Sequence, residues 1–159
     1  MKKWIWLLSV LMLLSACGQG ANAPLSNGEG DEKLVDSNWI FTVETDQTDN
    51  KLLVKLAVTN NQEEASAIDF SSGQKYELVL LDEAGTEVYR YSEGKMFTMA
   101  LIHETFEPGE SKEFEERINV EDIPEGVYTL KAQLILAAID GKAWSEDGTF
   151  QKQVDIEIK

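Results

Sequence analysis

From Val35 onward, apolar residues recur at every second position in short runs, and this period restricts the chain to strands with one buried face. Residues 51–60 alternate Leu52, Val54, Leu56 and Val58 with Lys51, Leu53, Lys55 and Ala57. Residues 76–81 are apolar at nearly every position, and Asp82-Glu83-Ala84-Gly85 then reads as a four-residue hairpin loop leading into a strand over 88–91. A strand over 112–120 has Phe114, Ile118 and Val120 as its apolar positions, with Glu113, Glu115 and Glu116 as its solvated face. Residues 127–138 place Tyr128, Leu130, Ala132, Leu134 and Leu136 on one face; residues 150–158 do the same with Phe150, Val154, Ile156 and Ile158. Pro108-Gly109 and Pro124-Glu125-Gly126 punctuate the intervals. Beyond the N-terminal segment there is no internal repeat and no run with the 3.6-residue period of a substantial helix.

Seven or eight such strands, each with one apolar face, need a second sheet to cover them, so the expected fold is all-β: an antiparallel two-sheet immunoglobulin-like sandwich. A small open barrel satisfies the same pattern. Gly126-Val127-Tyr128, at the start of a late strand, fits the corner device of immunoglobulin-like sandwiches, in which a tyrosine hydroxyl bonds a nearby loop backbone. With 43% hydrophobic residues, positions 34–159 suffice for one ordinary core.

The N-terminus follows a different rule. Lys2 and Lys3 precede an apolar run from Trp4 to Leu14, and Leu14-Ser15-Ala16-Cys17 follows. Charged region, hydrophobic core and small-residue site are the parts of a secretory signal peptide, expected as a helix over 1–16. The run is shorter than the ~20 residues of a spanning helix. Leu-Ser-Ala-Cys resembles the lipobox of bacterial lipoproteins, which implies a diacylglyceryl thioether on Cys17, cleavage before it and acylation, as by palmitate, of the new terminus. Each buried methylene adds ~0.8 kcal/mol, so two or three chains hold such a protein durably at a cell membrane, facing the extracytoplasmic side. Residues 18–33, rich in Gly, Asn, Ala, Ser and acidic side chains, cannot bury enough surface to fold and are expected to be a disordered tether. The expected organisation is therefore signal peptide 1–16, lipidated cysteine and linker 17–33, and sandwich domain 34–159.

Charge and residue inventory narrow the chemistry. Loss of Lys2 and Lys3 takes the formal net charge from -15 to -17, a surface that repels nucleic-acid phosphates and anionic head groups, so no nucleic-acid partner is expected. Cys17 is the only cysteine, which excludes an internal disulfide and a thiolate metal cluster. His103 is the only histidine and sits in Met99-Ala100-Leu101-Ile102-His103 with no catalytic motif around it. No glycine-rich phosphate loop occurs, and the acidic residues around Trp144 (Asp140-Gly141, Glu146-Asp147-Gly148) lack EF-hand spacing and read as a hairpin tip. Neither enzymatic activity, cofactor nor metal is expected.

Four ordered stretches carry a resemblance. They are Phe70-Ser71-Ser72-Gly73-Gln74-Lys75-Tyr76-Glu77-Leu78-Val79, Val88-Tyr89-Arg90-Tyr91-Ser92-Glu93-Gly94-Lys95-Met96-Phe97-Thr98, Phe106-Glu107-Pro108-Gly109-Glu110 and Ile123-Pro124-Glu125-Gly126-Val127-Tyr128-Thr129-Leu130. In that order they resemble the BsuPI family, named for a bacterial intracellular proteinase inhibitor, over roughly residues 35–158. Met99 stands where a glutamine is expected of that family. The resemblance implies an immunoglobulin-like sandwich and inhibition of a subtilisin-type serine proteinase. An export signal would place the partner outside the cytoplasm. The alternative class is an extracytoplasmic protein-binding or scaffolding sandwich without inhibitory activity.

Loops on a rigid sandwich are where binding residues sit. The preferred partner-contact loop is Ser92, Glu93, Gly94, Lys95 and Met96, between Tyr91 and Phe97, with Lys95 and Met96 able to fill a specificity pocket. The second is Ser71, Ser72, Gly73 and Gln74. The flanking aromatics, Phe70 and those between Tyr89 and Phe97, are expected to be core and corner residues.

Overall fold

The computed structural model describes residues 38–145 and 148–159. The signal peptide, Cys17 and tether expected over 1–33 lie outside the described residues, as do Glu146 and Asp147. Every regular element described is a strand: β1 Trp39–Thr48, β2 Lys51–Asn60, β3 Ser66–Phe70, β4 Tyr76–Leu81, β5 Glu87–Arg90, β6 Ile102–Phe106, β7 Ser111–Asn119, β8 Gly126–Leu134, β9 Ala138–Ile139, β10 Lys142–Ala143 and β11 Gln151–Ile158. All pairings are antiparallel.

Hydrogen bonding divides the strands into three sheets, ordered β1-β2-β7, β10-β9-β3-β6 and β11-β8-β4-β5. The first two are halves of one interrupted ladder, because β2 pairs with β7 while β3, which follows β2, pairs with β6, which precedes β7. The break falls at 61–65 on one side and 107–110 on the other. Asn60, fully buried, closes it. Its Nδ2 donates to the carbonyls of Glu64 (2.8 Å) and Phe106 (3.0 Å), its Oδ1 accepts from Gln62 N, its backbone N–H donates to Glu110 O, and its carbonyl accepts from Gly109 N. A buried break in a ladder exposes backbone groups that cost free energy if unpaired, and one asparagine supplies their partners.

One cluster of buried side chains is shared by all three sheets. It includes Trp39, Phe41, Leu52, Val54, Leu56 and Val58 from the first, Ile68, Phe70 and Phe106 from the second, and Leu78, Leu80, Tyr128, Leu130 and Ile158 from the third. Burying each large apolar side chain contributes ~1.5–3 kcal/mol, which a domain without an internal disulfide requires. The expected inward faces of β2, β8 and β11 match the observed ones. Tyr128 donates its hydroxyl to Pro124 O at 2.7 Å, the corner bond that Gly126-Val127-Tyr128 suggested.

Several expectations are corrected. The hairpin loop after β4 has five residues, 82–86, closed by Asp82 N–H to Thr86 O, because a bulge between Leu80 and Leu81 shifts the register by one. The strand expected over 127–138 ends at Leu134; Ala137 N–H then bonds Asp69 O and the chain crosses to pair β9 with β3. Asp140-Gly141, in contrast, is a hairpin tip as expected, the two-residue turn between β9 and β10, with φ of 50° and 71°. Asp140 reaches back to bond Ser66 Oγ and Ala67 N, both at 2.8 Å. Glu116 does not belong to the solvated face of β7. Strict alternation puts it on the side of Phe114 and Ile118, half-buried, while Glu113 and Glu115 are exposed.

Candidate functional site

The connection after β3 and the one after β5 are separate in sequence and adjacent in space. Gly73 N–H donates to Thr98 O at 2.8 Å, and a Cβ on Gly73 would lie 2.7 Å from Thr98 Oγ1, so this glycine permits the close approach. The two candidate loops form one surface.

Glu77 ties them together. It occupies a half-buried slot of β4, its side chain 15% exposed. Its carboxylate accepts from Ser92 N at 3.1 Å and from Ser92 Oγ, from Gln74 Nε2 at 3.2 Å and from Leu78 N at 3.2 Å, while the Arg90 guanidinium lies 3.7 Å away. Charge-assisted bonds of this kind are stronger than neutral ones, and here they converge from both loops on one group. Gln74 N–H also donates to Ser72 Oγ at 3.1 Å. On the other side Tyr91 N–H bonds Leu78 O, and Glu93 and Lys95 N–H bond Arg90 O and Ser92 O. Gly94, with φ of 70°, supplies the left-handed residue that this turn needs.

Beneath the loops runs an aromatic row. Tyr91 lies 5.8 Å from Phe97 and 4.4 Å from Tyr76, and Tyr76 lies 5.8 Å from Phe114. The Tyr76 hydroxyl donates to Glu116 at 3.3 Å. Burial pushes the Tyr76 hydroxyl well above the usual tyrosine range, reinforced by Tyr91 and Glu116. Tyr89 is pushed up to about 12, by burial first and then by Glu116, Tyr91 and Glu77. Phe70 is fully buried and Tyr89 and Tyr91 pack against the core, so these aromatics are framework as expected.

Lys95 is turned back onto this frame. Its Nζ lies 3.2 Å from Glu116 Oε1 and 3.5 Å from the centre of the Tyr91 ring. Met96, by contrast, is 99% exposed, with Met99 at 91% and Leu101 at 71%. Residues 95–101 form neither strand nor helix. Glu77 and Glu116 were not anticipated as members of the site. The signal available was a charged residue at the alternate position of an apolar strand in one case, and strict alternation past Phe114 in the other. His103, on β6, has a largely exposed ring with Nδ1 2.6 Å from Asp69 Oδ1. Among the described residues no group of three or more His, Cys, Asp or Glu side chains is arranged to hold a metal ion.

The antiparallel sandwich and its tyrosine corner place the domain in the class of immunoglobulin-like folds. Within it, the family model described as BsuPI, intracellular proteinase inhibitor, matches residues 39–139, and the chain belongs to that family. The match spans both loops and ends at β9; β11 lies beyond it. A comparison with curated proteins found no match. Among solved structures, the chain is similar to a penta-heme cytochrome c552 from Thermochromatium tepidum (9% identity, TM-score 0.42, 76% of this chain and 40% of that one). It is similar also to β-glucosidase 3B from Thermotoga neapolitana in complex with glucose (13%, 0.39, 76% and 16%). A third is the β-glucosidase from Listeria innocua in complex with isofagomine (12%, 0.37, 75% and 16%). The chain spans less than half the length of each.

Proposed function

We propose that this protein is a membrane lipoprotein, anchored through Cys17 on the extracytoplasmic side, whose sandwich domain inhibits a subtilisin-type serine proteinase. Membership of an inhibitor family supports the activity. The observation that carries the reading is the Glu77 and Gly73 linkage, which holds the 71–74 and 92–98 connections as one surface. An inhibitor must order its contact loop before it meets the enzyme, because ordering on binding subtracts from affinity. Small inhibitors often rely on disulfides for this; here a half-buried carboxylate and an aromatic row serve. The Leu-Ser-Ala-Cys sequence supports the anchor, and the acyl chains would confine inhibition to proteinases that reach the membrane surface.

The test is titration of the full chain, solubilised in detergent, against a panel of secreted subtilisin-type proteinases. Inhibition at submicromolar concentration is expected. Absence of inhibition across the panel at micromolar concentration would give way to a docking module that binds another envelope protein. For the anchor, mass spectrometry of membrane-extracted protein should find Cys17 as an acylated N-terminus, and Cys17→Ser should remain unlipidated. An unmodified Cys17 thiol in the wild type would refute the anchor.

A further inference from the structure

The segment from Lys95 to Leu101 divides into side chains that are held and side chains that are free. Lys95 is paired with Glu116 and lies on Tyr91; Phe97 packs on Tyr91; Thr98 is fixed through its carbonyl to Gly73. Between and beyond these anchors stand Met96, Met99 and Leu101. They are the three most exposed large apolar residues of the described domain; the next, Val127, is 50% exposed. Large apolar side chains held out from a fixed backbone leave hydrophobic free energy unrealised until a partner covers them. Met96 has an anchored neighbour on each side, so its position is the most closely fixed of the three.

Charge selects the partner further. The one basic group of the segment is neutralised by Glu116, so residues 95–101 offer no free cation to an acidic pocket. We infer that Met96 is the side chain that enters the primary specificity pocket of the inhibited proteinase, with Met99 and Leu101 against adjoining apolar subsites, so that the partner has an apolar primary pocket. This rests on the inhibitor reading above and, of the two candidates Lys95 and Met96, selects Met96 as the specificity residue. Methionine suits the role: unbranched and polarisable, it fills irregular apolar pockets.

The experiment compares wild-type, Met96→Asp, Met99→Asp and Met96→Leu full chains in detergent against two serine proteinases, one with an apolar and one with an acidic primary pocket. The wild type is expected to inhibit the first selectively. Met96→Asp should raise that inhibition constant at least about a hundredfold, since an apolar contact is lost and a carboxylate is desolvated. Met99→Asp should raise it about tenfold, and Met96→Leu should stay within about tenfold of wild type. Melting temperatures should be unchanged in all three, because these side chains touch no core residue. Inhibition of the apolar-pocket enzyme that both Asp variants leave intact would overturn the inference and leave the inhibitor reading standing. Selective inhibition of the acidic-pocket enzyme would do the same, pointing back to Lys95. Inhibition of neither enzyme would overturn both.

Discussion

Glu77 accepts more hydrogen bonds than any other side chain near the two loops, and its removal would strand several donors at once. Ser92 N and Ser92 Oγ would lose their acceptor, Gln74 Nε2 would keep only Tyr76 O, and Arg90 would keep only Glu87. A hydrogen bond to a charged group contributes ~1.5–3 kcal/mol, and partial exposure lets water replace some of this, so Glu77→Ala should cost about 1–3 kcal/mol. The checks are a thermal melt and amide hydrogen exchange, in which the protection of Ser92 should fall most. Unchanged exchange at Ser92 would show that the loop is held by the Tyr91 packing alone. That 76–81 is a strand was legible from its apolar run, and its observed bounds agree. What Glu77 does was not, because its partners Ser92 and Arg90 lie 15 and 13 positions away and only the β4–β5 register brings them into reach.

At the scale of elements, β4 and β7 meet through Tyr76, Phe114 and Glu116. Their packing has a pH dependence of definite sign. An ordinary tyrosine titrates near 10.0, and burial raises Tyr76 and Tyr89 above that in the folded protein. The fold therefore favours the protonated phenols. The contribution is complete below about pH 10 and is lost as pH rises, when the unfolded chain ionises and the folded one does not; for Tyr89 the loss runs to about 12. Melting temperature should fall between about pH 10 and about pH 12, and more shallowly for Tyr76→Phe than for the wild type. Equal slopes would deny Tyr76 this role. The strands most legible in the sequence were those with an alternating apolar face, β2, β8 and β11, or a continuous apolar run, β4. β1, β3 and β6 escaped notice for local reasons: β1 is apolar only in its first half, at Trp39, Ile40, Phe41 and Val43, and β3 and β6 have five residues each. Glu116 was misplaced because three acidic residues within four positions look like one wet face, although Glu115 and Glu116 must point to opposite sides.

For the molecule as a whole, the class of fold followed from the period, while the division into three sheets did not, since it depends on where a ladder breaks and on one buried asparagine that closes the gap. Asn60 carried no local signal beyond ending a strand. The arrangement of the loops leaves a different kind of consequence. Of four methionines, Met1 and Met12 lie outside the described residues, so Met96 and Met99 carry the only sulfur atoms among the described residues, and both are bare to solvent. A peroxide transfers one oxygen to a thioether, is itself reduced to water, and leaves a polar sulfoxide. Outside the cytoplasm such oxidants would strike this domain at the contact segment before anywhere else. Brief hydrogen peroxide treatment should convert both side chains, as read by peptide mass spectrometry. The melt should stay within about a degree of the untreated protein, because no core atom is touched, while proteinase inhibition falls. A sulfoxide reductase should then restore it, so an inhibitor built without a disulfide would still answer to the redox state of its surroundings.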